Sequence, residues 1–85
     1  MENNKVLIKL YIPMIDLKYE TWLPINKKLY RIDELLVSAV TEFTDGQYKP
    51  EELPMLYNKE TGQMYDLNLK IMETDIRNGS EIIMI

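Results

Sequence analysis

Two neighbouring segments with alternating hydrophobicity constrain this chain more than any other feature of its sequence. In the first, Lys5 to Ile12, every even position is apolar and two lysines lie among the odd positions. In the second, Leu17 to Leu23, the even positions include Lys18 and Glu20. A period of two residues is typical of a β-strand that buries one face. The sequence therefore predicts that the chain opens with two half-buried strands.

The residues between these segments, Pro13 to Asp16, carry turn residues at both ends and predict a hairpin. A hairpin closed there pairs Ile12 with Leu17, so that all paired residue numbers sum to 29. The inward pairs are then Leu10 with Tyr19, Ile8 with Thr21 and Val6 with Leu23, and the outward pairs are Lys9 with Glu20, Tyr11 with Lys18 and Leu7 with Trp22. A slip of one residue would turn two charged residues into the core, so the hydrophobic pattern itself selects this register.

From about Leu29 the apolar period changes from two to that of a helix. The apolar positions that follow the i, i+3, i+4 template, and are predicted to face the core, are Ile32, Leu35, Leu36, Ala39, Val40 and Phe43. The opposite, polar face is predicted to hold Arg31, Asp33, Glu34, Ser38, Thr41 and Glu42. Asp45-Gly46 supplies a stop signal just beyond the last turn.

The C-terminal half predicts short strands joined by turns. Leu53 to Tyr57 is expected to be a strand, Met64-Tyr65 a shorter returning strand, and Glu81 to Ile85 a final strand after the Asn78-Gly79 turn. The expected fold class is α+β, with one main helix packed on one face of a mixed sheet of four to five strands, which is the β-grasp order. With 85 residues, we expect a single domain over 1–85.

Composition argues against catalysis by the usual groups. The sequence has no cysteine and no histidine, which removes thiolate chemistry, the usual general base near neutral pH and the commonest metal ligands. The acidic pairs Glu51-Glu52 and Glu73/Asp75 lack a second cluster or the spacing of a calcium loop, and we interpret them as solvated surface. We therefore expect no enzyme activity, no catalytic residues, no cofactor and no metal.

Charge and hydropathy indicate which classes of partner this chain is expected to bind. The net charge is -4 and the ten Lys and Arg residues are scattered, so we expect no binding to nucleic acid. The polar start, Met1 to Lys5, makes a poor signal peptide, and the apolar run after it is interrupted by Lys9, so we expect a cytoplasmic chain without membrane insertion. The remaining class of partner is another protein.

The predicted register places Leu7, Tyr11 and Trp22 on the sheet face that the helix leaves uncovered. Exposed apolar clusters often mark partner sites, and Trp and Tyr are favoured anchors in them. The alternative is that the long loop after the helix folds over these side chains. A second alternative places the partner site at the edge strand near Leu56 or on the polar face of the helix.

Over nearly its whole length the chain resembles the ubiquitin-like superfamily. The resemblance is carried by the first hairpin, by Thr21-Trp22-Leu23-Pro24-Ile25 running into the helix, and by the closing pattern Ile71, Ile76, Asn78-Gly79-Ser80 and Ile82. Within the superfamily it is most similar to the bacterial YukD/EsaB-like proteins of type VII (WXG100) secretion. That resemblance implies a non-catalytic interaction module, not conjugated to substrates, with a partner such as a membrane component of the secretion system.

Two other functions remain open at this point. Small β-grasp subunits accompany some multicomponent enzymes such as oxygenases without supplying catalytic residues. Conjugated and sulfur-carrying members of the fold act through a flexible Gly-Gly tail, whereas this sequence closes on Ile82-Ile83-Met84-Ile85. A carrier function that acts through the C-terminus is therefore less favoured than a secretion module or an enzyme subunit.

Overall fold

A computed structural model describes residues 4–85 as a four-stranded mixed sheet with one main helix. The elements are β1 (Lys5–Ile12), β2 (Leu17–Pro24), α1 (Leu29–Phe43), β3 (Leu56–Asn58) and β4 (Glu81–Met84), with short 3-10 turns at Pro13–Ile15 and Ile71–Glu73. The sheet order is β2-β1-β4-β3, and only the central β1/β4 pair is parallel. The predicted α+β, β-grasp architecture is confirmed. The first three residues of the polar start lie outside the described residues.

The first hairpin has the predicted register, residue for residue, from Val6 opposite Leu23 to Ile12 opposite Leu17. The connection is the 3-10 turn Pro13–Ile15. The residue that follows it, Asp16, has a φ of 48° and donates its N–H to the Pro13 carbonyl at 3.1 Å. Asp tolerates this left-handed conformation better than most residues because its short side chain can hydrogen-bond locally. The turn is therefore tight, and the two strands pair directly beside it, beginning with Ile12 and Leu17.

The helix lies where it was predicted, but its inward face is rotated. Its buried residues are Leu29, Ile32, Asp33, Leu36 and Val40. Leu35, Ala39 and Phe43, which were predicted to face the core, are exposed, and Asp33, which was predicted to be solvated, is buried. The predicted face is therefore confirmed at Ile32, Leu36 and Val40 and wrong at the other three positions. Periodicity identifies an apolar stripe, whereas the sheet beneath the helix decides which side of that stripe it covers.

The C-terminal elements are shorter than the sequence suggested. The strand predicted at Leu53 to Tyr57 begins only at Leu56, and Met64 forms a single bridge to Tyr57 instead of a strand. Ile71 and Ile76, the two apolar residues at the start of the closing pattern, are buried in the core. The buried apolar core of the described residues comprises Ile8, Leu10, Ile12, Leu23, Leu29, Ile32, Leu36, Val40, Tyr48, Leu56, Tyr65, Ile71, Ile76, Ile82 and Met84.

The long loop after α1 closes one end of this core. Tyr48 inserts its side chain into the core, and its backbone is held at both sides by the end of the helix. The Thr41 hydroxyl donates to the Tyr48 carbonyl at 2.7 Å, and the Tyr48 N–H donates to the Thr44 hydroxyl at 3.1 Å. The loop is thus tied to the helix end, and Trp22 on the open sheet face stays 55% exposed.

Candidate partner-binding surface

The open sheet face begins with the pair that the register predicted. Leu7 of β1 lies directly opposite Trp22 of β2. Trp22 is the more exposed of the two, and Leu7 is partly exposed beneath it. Directly opposed side chains on one face of an antiparallel pair are close enough to pack. The two residues therefore form one apolar patch, which we call the Trp22 patch.

The Trp22 patch rests on a rigid support. The Leu7 N–H donates to the Asn78 side-chain oxygen at 2.7 Å, and the Leu7 carbonyl accepts the Gly79 N–H at 2.8 Å. Gly79 has a φ of 90°, a conformation that residues with a Cβ rarely adopt. The Asn78-Gly79 turn, which the sequence suggested only as a strand connection, therefore also fixes the backbone beneath the patch.

Tyr11 lies on the same face but not beside Trp22. It is four residues along β1 from Leu7, which is about 13 Å in an antiparallel strand. Tyr11 instead belongs to a row that crosses all four strands, in the order Lys18, Tyr11, Ile83, Tyr57. The sequence-based interpretation missed Ile83 and Tyr57, because only the parallel β1/β4 register aligns them with Tyr11. We call these four residues the Tyr11 row.

Polar contacts order one end of the Tyr11 row. The Lys18 ammonium lies 5.4 Å from the centre of the Tyr11 ring, within the range of a cation–π contact. The Tyr11 hydroxyl donates to an Asp16 carboxylate oxygen at 3.4 Å. At the other end, Tyr57 bridges to Met64, whose side chain is exposed. The row thus offers an apolar strip with a cation at one end.

A charged band separates the Trp22 patch from the Tyr11 row. Glu20, Lys9 and Glu81 lie side by side across β2, β1 and β4, so negative and positive groups alternate. A Lys59 ammonium approaches the Glu81 carboxylate at 3.8 Å. The face therefore presents two apolar areas divided by alternating charge, an arrangement suited to binding a partner surface in one orientation.

Leu56 does not join this surface. Its side chain is 1% exposed and belongs to the core. The outer edge of its strand is also occupied, because the Tyr65 N–H donates to the Leu56 carbonyl at 2.9 Å and the Asn58 N–H donates to the Gln63 carbonyl at 2.8 Å. The sheet edge near Leu56 is thus covered by the chain itself.

Two titratable groups in the core, Asp33 and Tyr65, have strongly raised pKa values. The Asp33 carboxylate is fully buried without a hydrogen-bond partner, and desolvation together with the neighbouring charge of Glu34 raises its pKa to about 7. Burial and a hydrogen bond from the Tyr65 hydroxyl to Asp75 at 2.9 Å raise the Tyr65 pKa to about 12. Across residues 4–85 no three metal-ligating side chains come together, and no helix there is long and apolar enough to cross a membrane.

Comparison of the chain with protein-family models yields no match. Comparison with curated proteins also yields none. Solved structures do match. The EccD5 ubiquitin-like domain from Mycobacterium xenopi has a TM-score of 0.77 at 16% identity, over 98% of this chain and 94% of that domain.

Two further structures have similar scores. A chain of the MycP5-free ESX-5 inner membrane complex has a TM-score of 0.78 at 13% identity, over 98% of this chain but only 21% of that one. A chain of a toluene 4-monooxygenase complex has a TM-score of 0.72 at 8% identity, over 95% of this chain and 99% of that one. Likeness at such identities concerns the fold alone, and the fold of this chain is the ubiquitin-like β-grasp.

Proposed function

We propose that this chain is a non-catalytic, YukD/EsaB-type accessory module of a type VII secretion system, which acts in the cytoplasm by binding another protein. The observation that carries the proposal is the Trp22 patch, an exposed aromatic side chain that lies opposite Leu7 on the open sheet face. Similarity to the ubiquitin-like domain of the Mycobacterium tuberculosis type VII secretion system protein EccD1, with a TM-score of 0.75 at 8% identity, supports the secretion context. Similarity to a chain of the ESX-5 inner membrane complex also supports it. The partner we propose is a membrane component of that system.

The open face explains how such a module binds without catalysing. Trp22 supplies a large apolar area with few rotatable bonds, which suits a central anchor. The Asn78-Gly79 turn holds Leu7 in place beneath it, so binding requires little ordering of the backbone. The band of Glu20, Lys9 and Glu81 contributes orientation more than affinity, because its charges are exposed to solvent.

The identity of the partner tests this proposal. The wild-type chain and Trp22→Ala, each immobilised, are exposed to native lysate, and the bound proteins are identified by mass spectrometry. We expect a secretion-system membrane component with the wild type and its loss with Trp22→Ala. Met72→Ala removes another exposed apolar side chain far along the chain and serves as the control, with unchanged recovery. If the wild type, Trp22→Ala and Met72→Ala all recover the same protein, that result would contradict a role for the Trp22 patch.

A second candidate is a small β-grasp subunit of a multicomponent oxygenase. The match to a chain of a toluene 4-monooxygenase complex over nearly its full length favours it. Under this alternative the same experiment recovers oxygenase subunits instead of a membrane component. Addition of the chain should then raise the turnover of the recovered oxygenase, whereas a secretion module should leave it unchanged.

A further inference from the structure

The outer edge of β2 is unpaired. The sheet order places β2 at one margin, and its eight residues pair only with β1. No backbone hydrogen bond within residues 4–85 joins that outer edge to another segment. The opposite margin is different, because residues after β3 cover it. A long open edge is a template for pairing with another strand.

The ladder geometry shows which groups the open edge presents. The Lys9 N–H donates to the Ser80 carbonyl at 2.9 Å, away from β2, so Lys9 and Glu20 form a non-hydrogen-bonded pair. Backbone groups alternate in direction along a strand, and therefore Lys18, Glu20 and Trp22 direct their N–H and C=O groups outward. An added antiparallel strand must hydrogen-bond to these even-numbered residues.

We propose that two copies of this chain pair antiparallel through β2, with Tyr19 of each copy facing Tyr19 of the other. Because both copies offer even-numbered residues, an even residue must face an even one. Centring the pair on Lys18 would oppose two lysines, and centring it on Glu20 would oppose two glutamates. Centring it on Tyr19 opposes Lys18 to Glu20 twice, so that charge selects this register.

In this register each Lys18–Glu20 pair exchanges both backbone hydrogen bonds and joins opposite charges on the open face. Both side chains are exposed in the single copy. The Lys18 ammonium would exchange its contact with the Tyr11 ring for the opposing Glu20 carboxylate. The ladder also stops short of Pro24, which lacks an N–H to donate. The pairing thus uses the part of the edge that can hydrogen-bond.

The helix side of the same edge carries uncovered apolar surface. Phe43 packs edge-on against Tyr19, with ring centres 5.4 Å apart, yet 53% of Phe43 is exposed. Leu35 and Ala39 continue the exposed stripe along α1 at i, i+4 spacing. Opposing Tyr19 to its counterpart brings the two Tyr19–Phe43 pairs together and removes part of this surface from water.

Charge reversal with rescue tests the pairing, read out by sedimentation equilibrium over a wide range of protein concentration. Lys18→Glu and Glu20→Lys each oppose like charges twice, and we expect at least tenfold weaker dimerisation for either variant alone. The double variant restores opposite charges and should dimerise like the wild type. A mixture of the two single variants should form a heterodimer. Lys27→Glu, the same charge change on an exposed residue outside β2, is the control.

Three results would overturn the proposal. The wild type could remain monomeric at millimolar concentration, the single reversals could dimerise as well as the control, or the double variant could fail to recover. Circular dichroism of each variant separates loss of pairing from loss of fold. The proposed pairing uses the backbone of the β2 edge and not the Trp22 side chain. If Trp22→Ala loses its protein partner, we still expect that variant to dimerise.

Discussion

Asp33 has the least expected environment of any side chain in the described core. Its position between Ile32 and Glu34 on the helix predicted a solvated carboxylate, and no pattern in the sequence indicates that it is buried. Desolvation of an unpaired carboxylate disfavours its charged form, which explains the pKa of about 7. The same charge, together with burial, raises the pKa of Tyr48. Ionisation of the buried Asp33 carboxylate near neutral pH therefore lowers the free energy of unfolding.

The pH dependence of stability tests this interpretation of Asp33. Its folded-state pKa lies above its ordinary value, so the folded chain binds the extra proton and the free energy of unfolding decreases as pH rises from about 4 through about 7. The decrease amounts to at most about 4 kcal/mol, since one pKa unit is about 1.4 kcal/mol. Urea denaturation between pH 4 and pH 8 measures it. Asp33→Asn should lose this dependence of stability on pH. Equal slopes in the wild type and in Asp33→Asn would refute this interpretation of Asp33.

At the scale of the elements, the hairpin was predictable because alternating polarity permits only one register. The helix bounds were predictable for a similar reason. The rotation of α1 was not, because it depends on where the sheet lies beneath the helix. The Tyr11 row could not be predicted either, because nothing in the sequence of β1 or β4 alone indicates how these two distant strands align.

Two adjacent leucines test the observed rotation of α1. Leu36 is buried, so Leu36→Ala should lower the free energy of unfolding by about 2 to 4 kcal/mol through the cavity it leaves. Leu35 is 52% exposed, so Leu35→Ala should cost less than about 1 kcal/mol. Chemical denaturation of both variants measures the difference. Equal costs would mean that both leucines contact the core, as the sequence pattern had suggested.

At the scale of the whole molecule, the chain combines a closed core with two exposed surfaces, the open sheet face and the β2 edge. Its C-terminal strand is also held within the fold. The Ile85 N–H donates to the Met55 carbonyl at 3.0 Å, and the Met55 N–H donates to the Ile85 carbonyl at 2.7 Å. This pairing holds the backbone of Ile85 against the sheet.

Incubation of the chain with ubiquitin-like activating enzymes and ATP therefore checks the carrier alternative. We expect no adenylate and no thioester, because the backbone pairing of Ile85 with Met55 holds this segment against the sheet. Intact-mass measurement detects either product. A C-terminal adduct would contradict the proposal that the chain acts by binding alone.

The affinity of the isolated partner for Trp22→Ala, measured by calorimetry, tests most directly whether the chain works through its open sheet face. We expect binding to weaken by at least about 2 kcal/mol, or roughly 30-fold, while the free energy of unfolding changes little because an exposed side chain leaves no closed cavity. Met72→Ala should bind as the wild type does. A folded Trp22→Ala variant that binds with unchanged affinity would contradict a binding role for this face.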